Sequence, residues 1–182
     1  MLIETERLIL RKLREEDFAD YCEFALDLEA SRMMGRAEMR TVNDARINFN
    51  YLHNFADCCA IVLKGNGKVI GNLTLSDPPP NVLAMNEVQG KTGRSMSFCI
   101  SRPYQRRGLM LEAVKGVIDH LFHAEGMDYV NCGYLDFNEP SRRLQEKLGF
   151  TCLTKESFDL NGENITAIEN ILWNAQKDSL AL

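Results

Sequence analysis

The chain opens on an apolar run, Leu8-Ile9-Leu10-Arg11-Lys12-Leu13, that reads as a first strand. Arg14-Glu15-Glu16-Asp17 leads from it into a helix, because Phe18, Tyr21, Cys22, Ala25 and Leu28 recur at helical spacing. The pattern breaks around Met33-Met34-Gly35. A second helix starts at Thr41 or Asn43, either of which suits an N-cap, and carries Ile47, Tyr51 and Leu52. Two strands follow, over 59–63 and 68–75, joined by Lys64-Gly65-Asn66-Gly67. That linker signals a hairpin, since Asn and Gly tolerate the positive φ of a tight turn. Asp77-Pro78-Pro79-Pro80-Asn81 interrupts regular structure, and the residues on to Thr92 read as a long loop.

The second half is more regular. Met96, Phe98 and Ile100 alternate with Ser95, Ser97 and Cys99, which makes 94–100 a strand. After a turn at 105–108, Val114, Val117, Ile118, Leu121 and Phe122 form one stripe on a long helix ending near Gly126. Residues 129–135 read as a strand and 138–148 as a helix. Gly149 sits at its left-handed stop, and Phe150 is placed for the apolar contact that accompanies such a stop. Two strand-like runs, 150–158 and 165–173, close the chain around an Asn161-Gly162 turn. The order is β-α-α-β-β-β-α-β-α-β-β, and its strand–helix–strand–helix stretch implies a partly parallel sheet. No repeat or linker divides the 182 residues, so a single domain over 1–182 is expected.

Composition narrows the function. The net charge is 21 − 26 = −5 and the pI is near 5.3. No basic block is present, which argues against a nucleic-acid partner; an acidic protein suits cationic substrates such as amines. None of the six cysteines forms a C-x-x-C pair or has a His at zinc spacing, so no metal is expected. Cysteines scattered in apolar runs read as reduced core residues of a cytosolic protein. The N-terminus lacks the basic-then-apolar order of a signal peptide. The longest apolar run, 58–63, falls far short of the ~20 residues of a membrane span. A soluble, cytoplasmic protein without a membrane partner follows.

Two stretches carry chemistry. In Ser97-Phe98-Cys99-Ile100-Ser101-Arg102-Pro103-Tyr104-Gln105-Arg106-Arg107-Gly108-Leu109-Met110-Leu111 a strand ends, a turn follows and a helix begins. The first turn of a helix has unsatisfied N–H groups and the positive end of the dipole, which suit a phosphate. Arg106 and Arg107 are disfavoured there unless an anion lies between them and the backbone. They also read as solvated loop residues beside an ordinary glycine turn, and spacing alone leaves both readings open. In the second stretch, Asn138-Glu139-Pro140-Ser141-Arg142-Arg143-Leu144-Gln145-Glu146-Lys147-Leu148-Gly149-Phe150, Asn138 reads first as an N-cap.

Together and in this order, the two stretches resemble the GNAT-type N-acetyltransferases. Gln105-Arg106-Arg107-Gly108-Leu109-Met110 is similar to that family's acyl-CoA signature, Gln/Arg-x-x-Gly-x-Gly/Ala. The Asn138-to-Phe150 run is similar to one typical of the ribosomal-protein N-terminal acetyltransferase-like branch, and so is Glu4-Thr5-Glu6-Arg7-Leu8-Ile9-Leu10-Arg11. The resemblance implies an α/β (α+β) fold with a mixed, mostly antiparallel central sheet of about seven strands and about four helices. It implies acetyl-CoA as cosubstrate. Backbone groups of Phe98, Cys99 and Ile100 would pair with the pantetheine arm. Backbone N–H groups of Arg106, Arg107, Gly108, Leu109, Met110 and Leu111 would hold the pyrophosphate, with the two Arg side chains nearer the adenosine phosphates and Gln105 also at the cofactor. Asn138 would contact the pantetheine, and Ser141 would lie near the sulfur.

Two positions depart from the pattern. Met110 replaces a Gly or Ala and crowds the helix start. Gln145 stands where many members place a Tyr that protonates the departing thiolate, which glutamine does not do; Ser141 is then the remaining acid. The expected reaction is direct attack of a neutral amine on the thioester, with backbone donors stabilising the oxyanion. Glu87, Asp136 or a water chain would take the ammonium proton. Cys99 reads as packing, because this chemistry needs no acyl-enzyme. The acceptor pocket is expected between Met33-Met34-Gly35, the second helix and the loop at 78–92; Met33, Met34, Met39 and Met85 are available as an adaptable wall there, though each reads more simply as core or surface filler. An alternative is a non-catalytic acyl-CoA-binding or regulatory domain of the same fold. The acceptor amine stays open, as does a homodimer, since the last strands can pair within or between chains.

Overall fold

A computed structural model describes residues 1–54, 56–160 and 162–178. The expected Asn161-Gly162 turn therefore lies partly outside the described residues. Among the described residues, the mixed, mostly antiparallel sheet has eight strands: β1 (Ile3–Glu4), β2 (Leu8–Lys12), β3 (Asp57–Leu63), β4 (Val69–Ser76), β5 (Gly93–Ile100), β6 (Tyr129–Leu135), β7 (Thr151–Leu160) and β8 (Glu163–Trp173). Seven α-helices accompany them among the described residues: α1 (Phe18–Ala25), α2 (Leu28–Met33), α3 (Val42–Asn54), α4 (Pro80–Leu83), α5 (Leu109–His123), α6 (Glu139–Leu148) and α7 (Ala175–Asp178). The four long ones are those the periodicity predicts. The extra pieces are too short to show a period: β1 has two residues and α4 and α7 four each.

The chain divides into two compact units, Met1–Leu75 with Ser97–Val117, and Ser76–Met96 with Ile118–Leu182. β5 begins in the second unit and ends in the first.

In the first unit β1, β2, β3 and β4 pair in chain order, each antiparallel to the next. Tyr21, Phe24, Phe49, Leu52, Ala60 and Val69 are buried together in its core. Two sequence expectations change here. The first helix does not run on to Leu28: Asp27 starts a new one, its carboxylate accepting from the N–H groups of Glu29 and Ala30, and Leu28 is exposed. The buried face of α3 is Ala45, Phe49 and Leu52, while Ile47 and Tyr51 are 63% and 58% exposed. Ala45, Phe49 and Leu52 recur at i, i+4 and i+7, whereas Ile47 and Tyr51 lie on the opposite side. Thr41 caps α3: its hydroxyl accepts from Asp44 N–H at 3.1 Å, and Asp44 returns the bond to Thr41 N–H at 2.9 Å.

In the second unit β5 pairs parallel with β6, and β6, β8 and β7 are antiparallel neighbours. Val82, Val88, Tyr129 and Ile171 form a core cluster, against which Met85 and Trp173 pack. The proline-rich segment is not wholly irregular. Pro80 begins α4, where a missing N–H costs nothing, and a 3-10 turn follows at Asn86–Val88. Gly149 ends α6 with φ 84°. The cysteines are free; Cys58, Cys59 and Cys132 are buried, whereas Cys152 is exposed rather than in a core.

Asp128 ties this unit's ends together. It accepts from Thr92 N–H at 2.7 Å and from Lys177 Nζ at 2.7 Å. Those bonds, Lys177 first, hold its pKa down at about 2 against 3.8 for a free aspartate. A depressed carboxylate stabilises the fold above its unfolded pKa and ceases to as pH falls through the folded one. The stability deficit of Asp128→Asn, measured by urea unfolding, is therefore expected to be full near neutral pH and to shrink between about pH 4 and pH 2.

Candidate functional site

The turn before α5 is built around left-handed backbone. Gly108 has φ 76°, and Arg106, at 60°, is the one non-glycine among the described residues with positive φ. An L-residue held there costs roughly 1–2 kcal/mol, which the surrounding structure must offset. The Gly108 carbonyl accepts the first helical bond, from Glu112 N–H at 3.0 Å. None of the N–H groups of residues 106–111 finds an acceptor among the described residues. Six consecutive donors and a helix N-terminus thus lie beside two guanidinium groups, and the Arg107 guanidinium sits 5.7 Å from the Tyr104 ring centre. Leu109 and Met110 are buried, so Met110 turns its side chain into the core.

The opening residues brace this turn. Glu112 accepts from Thr5 Oγ1 at 2.6 Å, Arg7 N–H at 2.7 Å and Arg7 Nε at 2.6 Å, and Arg7 Nη1 donates to the Arg107 carbonyl at 3.1 Å. Burial alone would raise the Glu112 pKa; the Thr5 and Arg7 bonds outweigh it and leave the carboxyl below its usual range. Glu112 therefore stays ionised, and its negative charge in the first turn complements the helix dipole.

Phe98, Cys99 and Ile100 are half-buried at the end of β5. Gln105 Nε2 donates to the Ile100 carbonyl at 3.2 Å, and Ser101 N–H donates to Ile70 O at 2.7 Å. β4 approaches so closely that a Cβ on Gly71 would lie 2.2 Å from the Cys99 carbonyl oxygen. Beside this strand the first unit holds a pocket of about 20 Å³ lined by Tyr21, Ser31, Met34, Arg36, Asn72 and Cys99, with Met39 among its other walls. Met34 and Met39 line this pocket, whereas Met33 does not; Met85 belongs to the second unit's core, and no α3 residue lines the pocket.

The second unit holds the remaining sequence-derived candidates. Asn138 caps α6, its Oδ1 accepting from Ser141 N–H at 3.1 Å. Gln145 is fully buried, its Nε2 donating to Ser141 Oγ at 3.0 Å and its Oε1 accepting from Asn170 Nδ2 at 3.0 Å. Asp136 is exposed and accepts from Thr166 N–H at 3.1 Å. Glu87 is exposed in the 3-10 turn. One carboxylate absent from the sequence reading stands out. Glu169 accepts from Asn131 Nδ2 at 2.9 Å, and burial raises its pKa more than that bond lowers it. An acidic residue inside an alternating strand ordinarily faces water, so periodicity could not flag it. Arg7 was legible within the Glu4-to-Arg11 run, but its partner lies 105 residues away.

Comparison with known proteins fits this arrangement. A model of the acetyltransferase (GNAT) domain matches residues 7–151. A relative described as an uncharacterized N-acetyltransferase p20, from Bacillus licheniformis, is 28% identical over 152 residues, 80% of each chain. The solved acetyltransferase (GNAT family) from Bacillus anthracis aligns with a TM-score of 0.82 at 18% identity, over 96% of this chain and 99% of that one. The ribosomal-protein-S5-alanine acetyltransferase from Vibrio fischeri does so with 0.67 at 20% identity, over 96% and 97%. At such identities the two structural likenesses speak to the fold alone.

Proposed function

Because the chain belongs to the GNAT acetyltransferase family, we propose that it moves an acetyl group from acetyl-CoA to a primary amine, the N-terminal α-amine of a protein or the amine of a small molecule. The observation that carries this reading is the run of six unaccepted N–H groups at residues 106–111, opening a helix beside Arg106 and Arg107. A pyrophosphate is the group such a cradle fits, and each charge-assisted bond to it contributes roughly 1.5–3 kcal/mol. Acetyl-CoA supplies the acyl group already activated as a thioester. The backbone of Phe98, Cys99 and Ile100 aligns the pantetheine, and Asn138 adds a contact to it.

Ser141 serves the sulfur, and Gln145 explains how it does so without the usual tyrosine. Gln145 Nε2 occupies a lone pair of Ser141 Oγ. The Ser141 O–H, which donates to no group among the described residues, is left to donate to the departing sulfur. The ammonium proton goes to water or to a carboxylate, among Glu87, Asp136 and Glu169. Glu169 has the raised pKa that makes a stronger base.

The test is direct: titrate the purified protein with acetyl-CoA by calorimetry, then monitor free thiol with a panel of amines and N-terminal peptides. Binding followed by thiol release is expected; no acetyl-CoA binding would refute the reading. Ser141→Ala removes the hydroxyl and leaves Gln145 its bond to Asn170. A fall of about tenfold in kcat, with KM for acetyl-CoA within about twofold, is expected near pH 8. Unchanged kcat would remove Ser141 from the role of donor.

A further inference from the structure

The pocket in the first unit carries one cation and no acid. Arg36 lines it and donates from Nη2 to Ser97 Oγ at 3.1 Å. Its other donors meet no acceptor among the described residues, and no carboxylate forms an ion pair with it. Asp27, the acid whose field reaches Cys99, is already held by Arg102 through bonds of 2.9 and 2.7 Å. Ser31 is also in the lining. Its N–H donates to Asp27 O, and its hydroxyl makes no hydrogen bond among the described residues. That oxygen is not itself buried, so it stays open to a group that enters the pocket. The field of Arg36 is felt nearby: burial pushes the Cys99 thiol up to about 11, and the guanidinium offsets part of that rise.

From this geometry we propose that the pocket binds a carboxylate on the acceptor, so that the enzyme acetylates amines that also carry a carboxylate. Arg36 takes the carboxylate through its free guanidinium donors, and Ser31 adds a hydroxyl donor. This rests on the proposed acetyl transfer and names the acceptor class for it. The space, about 20 Å³, is of the order of one or two water-sized groups, which suits the two oxygens of a planar carboxylate. A guanidinium fork matches that shape, and an ammonium in its place would lack the fork. Polycationic acceptors such as polyamines are the wrong charge, because the lining holds no acid to neutralise them.

The experiment does not depend on turnover. Wild type, Arg36→Gln and Arg36→Lys are titrated calorimetrically, with CoA present, with a panel of N-acetyl amino acids and the matching amides. Arg36 is exposed, so melting temperatures should be unchanged. The acid of each pair is expected to bind wild type at least about tenfold more tightly than its amide. Arg36→Gln should erase that ratio, and Arg36→Lys should retain part of it. In transfer assays the same preference should appear in kcat/KM for amino acids over their amides. Equal binding of acid and amide, no binding of either, or a ratio untouched by Arg36→Gln would each overturn the proposal. A separate acetyl-CoA titration of the same samples reads the underlying function: a carboxylate preference without acetyl-CoA binding would sink the acetyl-transfer reading and leave the anion site standing.

Discussion

Gly108→Val is expected to weaken acetyl-CoA binding by about 100-fold while the protein stays folded. Gly108 holds φ 76°, and a Cβ there would meet nothing nearer than Arg7 Nη2 at 3.6 Å. Space is therefore not the obstacle; the backbone is. A β-branched residue resists the left-handed region, and the turn relieves the strain by returning to negative φ. That movement re-aims the N–H groups of the residues on either side, which are the donors proposed for the pyrophosphate. Losing one or two charge-assisted bonds of roughly 1.5–3 kcal/mol each accounts for the expected factor. Gly126→Val is the control: φ is 66° and nothing lies within 4 Å of its Cβ. It should cost comparable stability and leave acetyl-CoA affinity intact. Calorimetry on both variants decides, and equal affinities would take the phosphate away from this turn.

Gly71→Ala is expected to destabilise the protein by about 3 kcal/mol, a large cost for one methyl group. Its Cβ would stand 2.2 Å from the Cys99 carbonyl oxygen and 3.0 Å from the Ile100 Cα. Both are backbone atoms, so no side chain can swing aside and β4 and β5 must separate. The same displacement moves the Cys99 and Ile100 backbone proposed to align the pantetheine, so transfer should fall along with stability. Urea unfolding gives the first quantity and thiol release the second. Gly65→Ala, with nothing within 4 Å, should change neither. A Gly71→Ala protein as stable as wild type would contradict the close approach of the two strands.

The Cys99–Gly71 approach shows where local reading stops. Phe98, Cys99 and Ile100 were legible as a strand because alternation is a local property. That a carbonyl 28 residues later leaves no room for a side chain at Gly71 is a fact of pairing, and nothing near Gly71 announces it. α3 makes the same point. Its existence and its Thr41 cap follow from neighbouring residues, but the choice between Ile47 with Tyr51 and Ala45 with Phe49 as the buried face depends on what packs against it. In a helix with apolar groups on two sides, periodicity cannot choose between them.

The candidate site divides along the same line. The glycine turn before α5 and the Asn138 cap lie within short stretches, so residue order alone carried the family resemblance and most of the proposed cofactor contacts. Long-range packing supplied the rest: the Thr5–Arg7–Glu112 brace, the buried bond from Gln145 to Ser141, the raised pKa of Glu169 and the unpaired Arg36 beside Ser31. Backbone conformation and helix caps are set over a few residues, where steric and hydrogen-bonding preferences act directly. Which polar groups are buried together, and with what net charge, depends on chain segments tens of residues apart, and there the identity of a side chain does not reveal its surroundings.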